Sequence, residues 1–135
     1  MHLLVLVLLV LHVVPAVFWM GSTLVWARGD TPTAPLLRAQ LGTALVAIAN
    51  GVGLWFMFHR GGAHDVAARI VAAGALAAIV ALVLQAMIVA PAAFRLEGAS
   101  ASDARGLQVR IAKGQRMAAP LLVVAVVCMV IARYV

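Results

Sequence analysis

The sequence predicts an all-α integral membrane protein, folded as a bundle of four transmembrane helices. Hydrophobic residues make up 66% of the 135 residues and charged residues only 10%, whereas a soluble domain is about half apolar and a quarter charged. The apolar residues also gather in four long segments, separated by short polar connections. A chain of this length holds a single domain, so we expect one transmembrane unit.

The four charge-poor segments are Leu3–Ala27, Ala39–Phe58, Ile70–Phe94 and Met117–Ala132. The hydrocarbon core of a bilayer is about 30 Å thick and takes about 20 helical residues to cross. Each segment should be a helix, because lipid offers no partner to backbone N–H and C=O groups. The first segment lacks the basic start and the small-residue cleavage site of a signal peptide, so we expect a retained helix.

Three connections join the predicted helices. The first, Arg28–Arg38, contains a glycine, an aspartate and two prolines, which are typical of turns. The second, His59–Arg69, opens on His-Arg-Gly-Gly. The third, Arg95–Arg116, is the longest and most polar, and its residues 104–115 fit equally a basic amphipathic helix on the lipid surface and a solvated loop.

The positive charges are unevenly divided between the two sides of the predicted bundle. The first and third connections share one side and hold seven, namely Arg28, Arg38, Arg95, Arg105, Arg110, Lys113 and Arg116. The other side holds three, namely Arg60, Arg69 and Arg133. Because cytoplasmic loops are enriched in Lys and Arg, we expect a multi-pass protein of the bacterial inner membrane with both termini in the periplasm. The net charge of +6 is thus an orientation signal, and its pattern does not indicate nucleic-acid binding.

Polar side chains within the predicted spans are the main candidates for chemistry. His12 is the one clearly ionisable side chain at membrane depth, and such residues are functional candidates by default. It would be a haem-iron ligand or a proton relay; alternatively, it is a structural histidine that hydrogen-bonds to Asn50 or to a backbone carbonyl. At about 1.5 Å per residue, His12, Asn50 and Cys128 fall at similar depth, so we expect them to meet in one layer. Asn50 and Gln85 would be interhelical hydrogen-bond partners.

Histidines near the chain's outer side form a second candidate site. His2 begins the first span, His59 ends the second, and His64 follows in the second connection. Two facing imidazoles would hold haem or copper; alternatively, these side chains only reach out to lipid headgroups. The six methionines form no M-x-M or M-x-x-M run of the kind that favours Cu(I). The sequence also has no P-loop, Rossmann or metalloprotease motif.

The first span resembles the opening of known membrane families. His12 is followed after six residues by Trp19 and then by Gly21, and the helix ends at the basic residue Arg28. The second span adds Arg38 at its start and the run Gly-Val-Gly-Leu-Trp near its end. This pattern resembles two families of small four-helix bacterial membrane proteins, the HemJ-type protoporphyrinogen oxidases and the membrane domain of CopD-type copper-resistance proteins.

The resemblance implies a haem-associated redox protein with His12 as the iron ligand. Together with the depth argument, it makes the cofactor-binding candidates His12, Asn50, Trp19, Arg28 and Arg38, and the metal-binding candidates His12, His2 and His59. The chain departs from the HemJ-type pattern before the last helix, where Met-Ala-Ala-Pro, residues 117–120, replaces a polar motif with Asn and Glu ahead of Pro.

Three functions therefore stay open. The first is a b-type haem redox protein, in which His12 binds haem b. The second is a non-catalytic accessory or assembly subunit of a larger membrane complex. The third is a copper-handling membrane protein. The partners expected in each case are the lipid bilayer and either a second copy of the chain or a larger membrane complex.

Overall fold

The computed structural model describes residues 2–58 and 65–135. These residues form four helices: α1 (His2–Ala27), α2 (Ala34–Phe58), α3 (Val66–Leu96) and α4 (Ala101–Ile131). All four are long and apolar enough to cross a membrane, and the described part of the chain contains no strand. The predicted all-α four-helix bundle is confirmed, and the chain is a multi-pass membrane protein.

Local capping explains where the helices begin and end. Gly29 adopts a φ of +116°, a left-handed conformation that favours glycine, and turns the chain after α1. The Asp65 carboxylate accepts a hydrogen bond of 2.6 Å from the Ala68 N–H and so caps the start of α3. Ser100 caps α4 in the same way, because its hydroxyl accepts from the Asp103 N–H at 3.3 Å.

A π-helical turn, Gln85–Val89, interrupts the regular winding of α3. It lies just before Pro91, which has no N–H to donate, and the Ala90 N–H bonds to the Gln85 oxygen five residues back. Such turns insert one extra residue into a helix. The widened turn presses on α4 at Gly114, where an added Cβ would lie 2.6 Å from Val89 Cγ2. A residue without a side chain is therefore required at that position.

The third connection is much shorter than the sequence predicts. α4 begins at Ala101, not near residue 117, so that only residues 97–100 join it to α3. Residues 104–115 are neither a solvated loop nor a separate surface helix, because they continue directly into the last span. The physical reason is burial on one face: Ile111 is 1% exposed in a cluster with Trp26 and Leu37, and Leu107 packs against that cluster.

α3 and α4 are longer than a bilayer is thick. Each has 31 residues, which corresponds to about 46 Å, against roughly 30 Å of hydrocarbon. The Arg116 Nε atom donates to the Ala27 backbone oxygen at 2.7 Å, and Ile111 packs beside Trp26 near the end of α1, so the first turns of α4, before residue 110, extend beyond the end of α1. We call this the connection side, and the opposite side, with His2 and Ile131, the terminal side.

The four helices pack unevenly. α1 packs along α2, and α4 packs along both α3 and α1, whereas α2 and α3 meet at few positions. Small buried residues of α3, Gly74, Ala78 and Ala81, allow α4 to approach closely. Trp19 of α1 is 3% exposed and fills the core beside them. The sparse contact between α2 and α3 leaves a gap in the bundle, and this gap holds the candidate site.

Candidate functional site

A cavity of about 510 Å³ lies between α2 and α3, in the half of the bundle nearer the terminal side. Its described walls come from Ile48, Gly51, Val52, Leu54, Trp55, Phe56 and Phe58 of α2 and from Val71, Ala72, Ala75, Leu76, Ala78 and Ile79 of α3. His12 of α1 and Met129 of α4 complete the described lining. His12 is the only ionisable side chain among these residues, so the cavity suits a large and mainly apolar ligand.

A single hydrogen bond fixes the His12 imidazole. Its Nδ1 atom lies 2.7 Å from the backbone oxygen of Ala47 on α2. Because a carbonyl oxygen only accepts, Nδ1 must carry the hydrogen, and the neutral ring then has its lone pair on Nε2. Nε2 has no hydrogen-bond partner in the part of the chain that the structure describes. His12 therefore borders the cavity with one ring nitrogen bound to protein and the other free to accept or to ligate.

Gly51 provides the space in which the imidazole lies. An added Cβ at Gly51 would lie 2.9 Å from His12 Cε1 and 3.1 Å from Nδ1, closer than side-chain atoms normally pack. Gly53, two residues later in the same helix, has nothing within 4 Å of such a Cβ. The Gly-Val-Gly run near the end of the second span thus has one glycine with a steric role at the histidine and one without.

Among the described residues, no hydrogen bond joins His12, Asn50 and Cys128, the residues of the predicted layer. Asn50 Nδ2 donates to the Val46 oxygen of its own helix at 2.8 Å, so Asn50 is not an interhelical partner. Cys128 packs against Gly74 of α3, where an added Cβ would lie 2.8 Å from Cys128 Cβ. Residues at equal depth need not be in contact, because each one can lie on a face of its helix that is turned away from the others. Of the two structural partners considered for His12, the backbone carbonyl is the one observed.

Three other predicted site residues that the structure describes, Arg28, Arg38 and His2, are not part of the cavity lining. Arg28 and Arg38 are exposed on the connection side, and the Arg38 guanidinium carbon lies 5.7 Å from the centre of the Phe94 ring, a cation–π contact. His2 is exposed at the start of α1. His59 and His64 lie outside the described residues. In residues 2–58 and 65–135, no three His, Cys, Asp or Glu side chains lie close enough together to hold a metal ion.

A buried polar network, of which the sequence predicts only Gln85 as an interhelical hydrogen-bond partner, joins all four helices. It consists of Trp19, Thr23, Gln40, Gln85 and Gln115, of which the last four are 0% exposed. The Trp19 indole N–H donates to Gln85 Oε1 at 2.6 Å. The Gln85 amide group donates to Thr23 Oγ1 at 2.9 Å and to Gln115 Oε1 at 2.8 Å. Gln85 is thus an interhelical hydrogen-bond partner, as predicted, and the π-helical turn begins at this residue.

The remaining bonds of this network leave few polar groups unused. Gln40 donates to Thr23 Oγ1 at 2.8 Å and accepts from the Gln115 amide at 3.0 Å. The Thr23 hydroxyl donates to the Trp19 backbone oxygen at 2.8 Å. Thr23 Oγ1 therefore uses its hydrogen and both lone pairs. Within a membrane an unpaired polar group costs several kcal/mol, so a network with satisfied members holds the four helices in one arrangement.

The network and the cavity occupy different halves of the bundle. Trp19 follows His12 by seven residues and Thr23 follows it by eleven, about 10.5 Å and 16.5 Å along α1. The core around Trp19 thus lies between the cavity and the connection side. Trp19 is not part of the described cavity lining, and its indole N–H is already bound to Gln85. The described cavity lining beside His12 comes mainly from α2 and α3.

Comparisons with protein-family models, with curated proteins and with solved structures each found no match to this chain.

Proposed function

We propose that this chain is a b-type haem redox protein of the membrane, in which His12 would hold the haem iron in the cavity between α2 and α3. The observation that carries the proposal is the 2.7 Å hydrogen bond from His12 Nδ1 to the Ala47 oxygen. Metal-binding histidines almost always donate their second ring nitrogen to a carbonyl or a carboxylate, which fixes the tautomer and the ring orientation. His12 meets this condition through Nδ1, and its Nε2 atom would be the one to bind the iron.

The size and lining of the cavity support a porphyrin as the ligand. A volume of about 510 Å³ is within the range of about 300–1,000 Å³ that is usual for ligand sites. The aliphatic and aromatic side chains of α2 and α3 face it from both sides. Bound haem would supply one-electron chemistry, and the apolar side chains of α2 and α3 would give it surroundings of low polarity that influence its reduction potential.

Met129 would be the second residue to hold the haem iron. It is the one methionine among the described lining residues, and the lining has no second histidine. A thioether together with an imidazole is an established haem ligand pair and raises the reduction potential. Met129 on α4 and His12 on α1 would then hold the same group from two helices that pack against each other.

The test is hemin binding by the purified full-length protein in detergent. The wild-type protein should bind one hemin per chain, with a saturable Soret band and a matching iron content. His12→Ala should lose that band. His2→Ala is the matched control, because His2 is an exposed histidine of the same helix, outside the described cavity lining, and it should bind hemin as the wild type does.

Two results would oppose the proposal. Wild-type protein that shows no saturable change with hemin has no haem site. A His12→Ala variant that binds hemin as tightly as His2→Ala has a site elsewhere. Loading the same preparations with Cu(I) tests the copper alternative, since imidazole and thioether are also ligands for that ion. Stoichiometric copper that depends on His12 and Met129 would favour copper handling over haem binding.

A further inference from the structure

A second pocket, of about 580 Å³, lies where α3 ends and α4 begins. Arg95 in the last turn of α3 and Arg110 of α4 contribute two guanidinium groups to its lining, Ser102 a hydroxyl and Asp103 a carboxylate. All four side chains are exposed. The pocket therefore offers positive and negative groups to a ligand, unlike the apolar cavity at His12.

The opposite charges in this pocket form no direct ion pair with each other among the described residues. Asp103 Oδ2 accepts a hydrogen bond of 2.7 Å from the Ser100 hydroxyl. Among the described residues, neither Arg95 nor Arg110 forms an ion pair or a side-chain hydrogen bond with Asp103 or with any other residue. Two guanidinium groups and one carboxylate are thus left to face the same space. A ligand that carries both a phosphate and an ammonium group would pair with both kinds of charge.

The pocket begins at the level of the lipid headgroups and extends outward from it, because Arg95 and Asp103 lie further from the network along α3 and α4 than Arg110 does. Arg110 precedes Gln115 by five residues and Arg28 follows Thr23 by five, about 7.5 Å in each helix. Since Gln115 and Thr23 belong to the same network, Arg110 is level with Arg28, where α1 has ended. From Gln115 to Ile131, α4 runs about 24 Å toward the terminal side. A hydrocarbon layer of about 30 Å that begins level with Ile131 therefore ends roughly 6 Å beyond the network, on the connection side. Arg110 is therefore just outside that layer.

We propose that this pocket binds the headgroup of a phospholipid with a primary ammonium group, of the phosphatidylethanolamine class. Arg95 and Arg110 hold the phosphate, because the planar guanidinium fork matches its oxygens. Asp103 accepts hydrogen bonds from the ammonium group and is held in place by Ser100. A phosphatidylglycerol headgroup has the phosphate but places no positive charge at Asp103, and a phosphatidylcholine headgroup has no N–H to donate.

The test is native mass spectrometry of the delipidated full-length protein, with added lipids of identical acyl chains. Wild-type protein should retain the ethanolamine lipid about tenfold more tightly than the choline or glycerol lipid. Arg110→Gln should weaken binding of all three lipids. Asp103→Asn should abolish the preference for ethanolamine over glycerol while leaving phosphate binding intact. Lys113→Gln, which removes an exposed cation of the same helix outside the pocket lining, should change neither.

Circular dichroism of each variant ensures that only folded protein is compared. The proposal is overturned if wild-type protein binds the choline lipid as tightly as the ethanolamine lipid. It is also overturned if Asp103→Asn keeps the ethanolamine preference, or if Lys113→Gln weakens binding as much as Arg110→Gln does. The last outcome would mean that the basic residues attract phospholipid only by their total charge.

Discussion

The Nδ1 atom of His12 lies 2.7 Å from the backbone oxygen of Ala47, and this bond ties α1 to α2 at the cavity between α2 and α3. It gives the histidine a fixed tautomer in a membrane segment where an ionisable side chain is costly. The bond depends on Gly51, one helical turn further along α2, because any side chain there would occupy the space of the ring. Three residues on two helices thus determine how the imidazole is presented.

The first prediction concerns Gly51. Gly51→Ala places a Cβ 2.9 Å from His12 Cε1, so the ring must move and its bond to Ala47 must lengthen or break. We expect weaker hemin binding, by about tenfold for the loss of one hydrogen bond and a displaced ligand. Gly53→Ala, with nothing within 4 Å of its Cβ, should bind as the wild type does. Equal binding by the two variants would contradict the role of Gly51.

The second prediction concerns the polar network. Gln85→Leu leaves the Trp19 indole N–H without its acceptor and removes two donated bonds. We expect a loss of about 1–3 kcal/mol in the free energy of unfolding, measured with a denaturing detergent in mixed micelles. Gln108→Leu changes an exposed glutamine of α4 and should cost much less.

A double-mutant cycle isolates the bond between Trp19 and Gln85. Trp19→Phe removes the indole donor but keeps an aromatic ring, and the cycle with Gln85→Leu should give a coupling of about 0.5–1.7 kcal/mol. Purely additive effects of the two substitutions would show that the bond does not stabilise the bundle.

The third prediction concerns the close approach of α3 and α4. At Gly114 an added Cβ would lie 2.6 Å from Val89 Cγ2 and 3.1 Å from Ile88 Cγ2. Gly114→Ala should therefore force the π-helical turn away from α4 and lower the unfolding free energy by about 1–3 kcal/mol. Gly42→Ala meets nothing within 4 Å and should be neutral or slightly stabilising, since alanine favours a helix. A neutral Gly114→Ala variant would show that the two helices separate easily at this level.

The fourth prediction concerns orientation in the membrane. The charge distribution predicts that both termini face outward and that the connection side faces the cytoplasm. In a Cys128→Ala background, Tyr134→Cys should react with a membrane-impermeant maleimide on intact cells that express the chain. Gly98→Cys, on the opposite side in the connection between α3 and α4, should react only after the cells are opened. The reverse labelling pattern would invert the topology.

The sequence was sufficient to predict the four spans, because long apolar runs leave a helix as the only backbone arrangement that lipid tolerates. It was insufficient for the start of α4. Arg105, Arg110 and Lys113 make residues 101–116 appear to be a connection, although Leu107 and Ile111 bury one face of the same segment. Charge content and helix packing are separate properties, so the charges alone do not mark where α4 begins.

The polar network shows why a candidate site is harder to predict than a span. Gln40 lies two residues from Arg38, and Gln115 is next to Arg116, so both appeared to belong to the ends of connections. Gln40 and Gln115 come together with Gln85 only because of which helix faces are turned inward and because of the π-helical turn of α3. His12 was found because it is an isolated ionisable residue within an apolar run, but its partner Ala47 contributes only a backbone oxygen, which no side-chain pattern reveals.

The most direct measurement of the role of His12 is rescue of hemin binding by free imidazole. In His12→Gly the ring is removed and a space of imidazole size is left beside Gly51 and Ala47. Hemin titrations should show saturable binding to wild-type protein, none to His12→Gly, and restored binding with a wild-type-like Soret band when imidazole is added. If His12→Gly binds hemin equally well without imidazole, or if wild-type protein does not bind hemin at all, then His12 is a structural histidine and the proposed function is wrong.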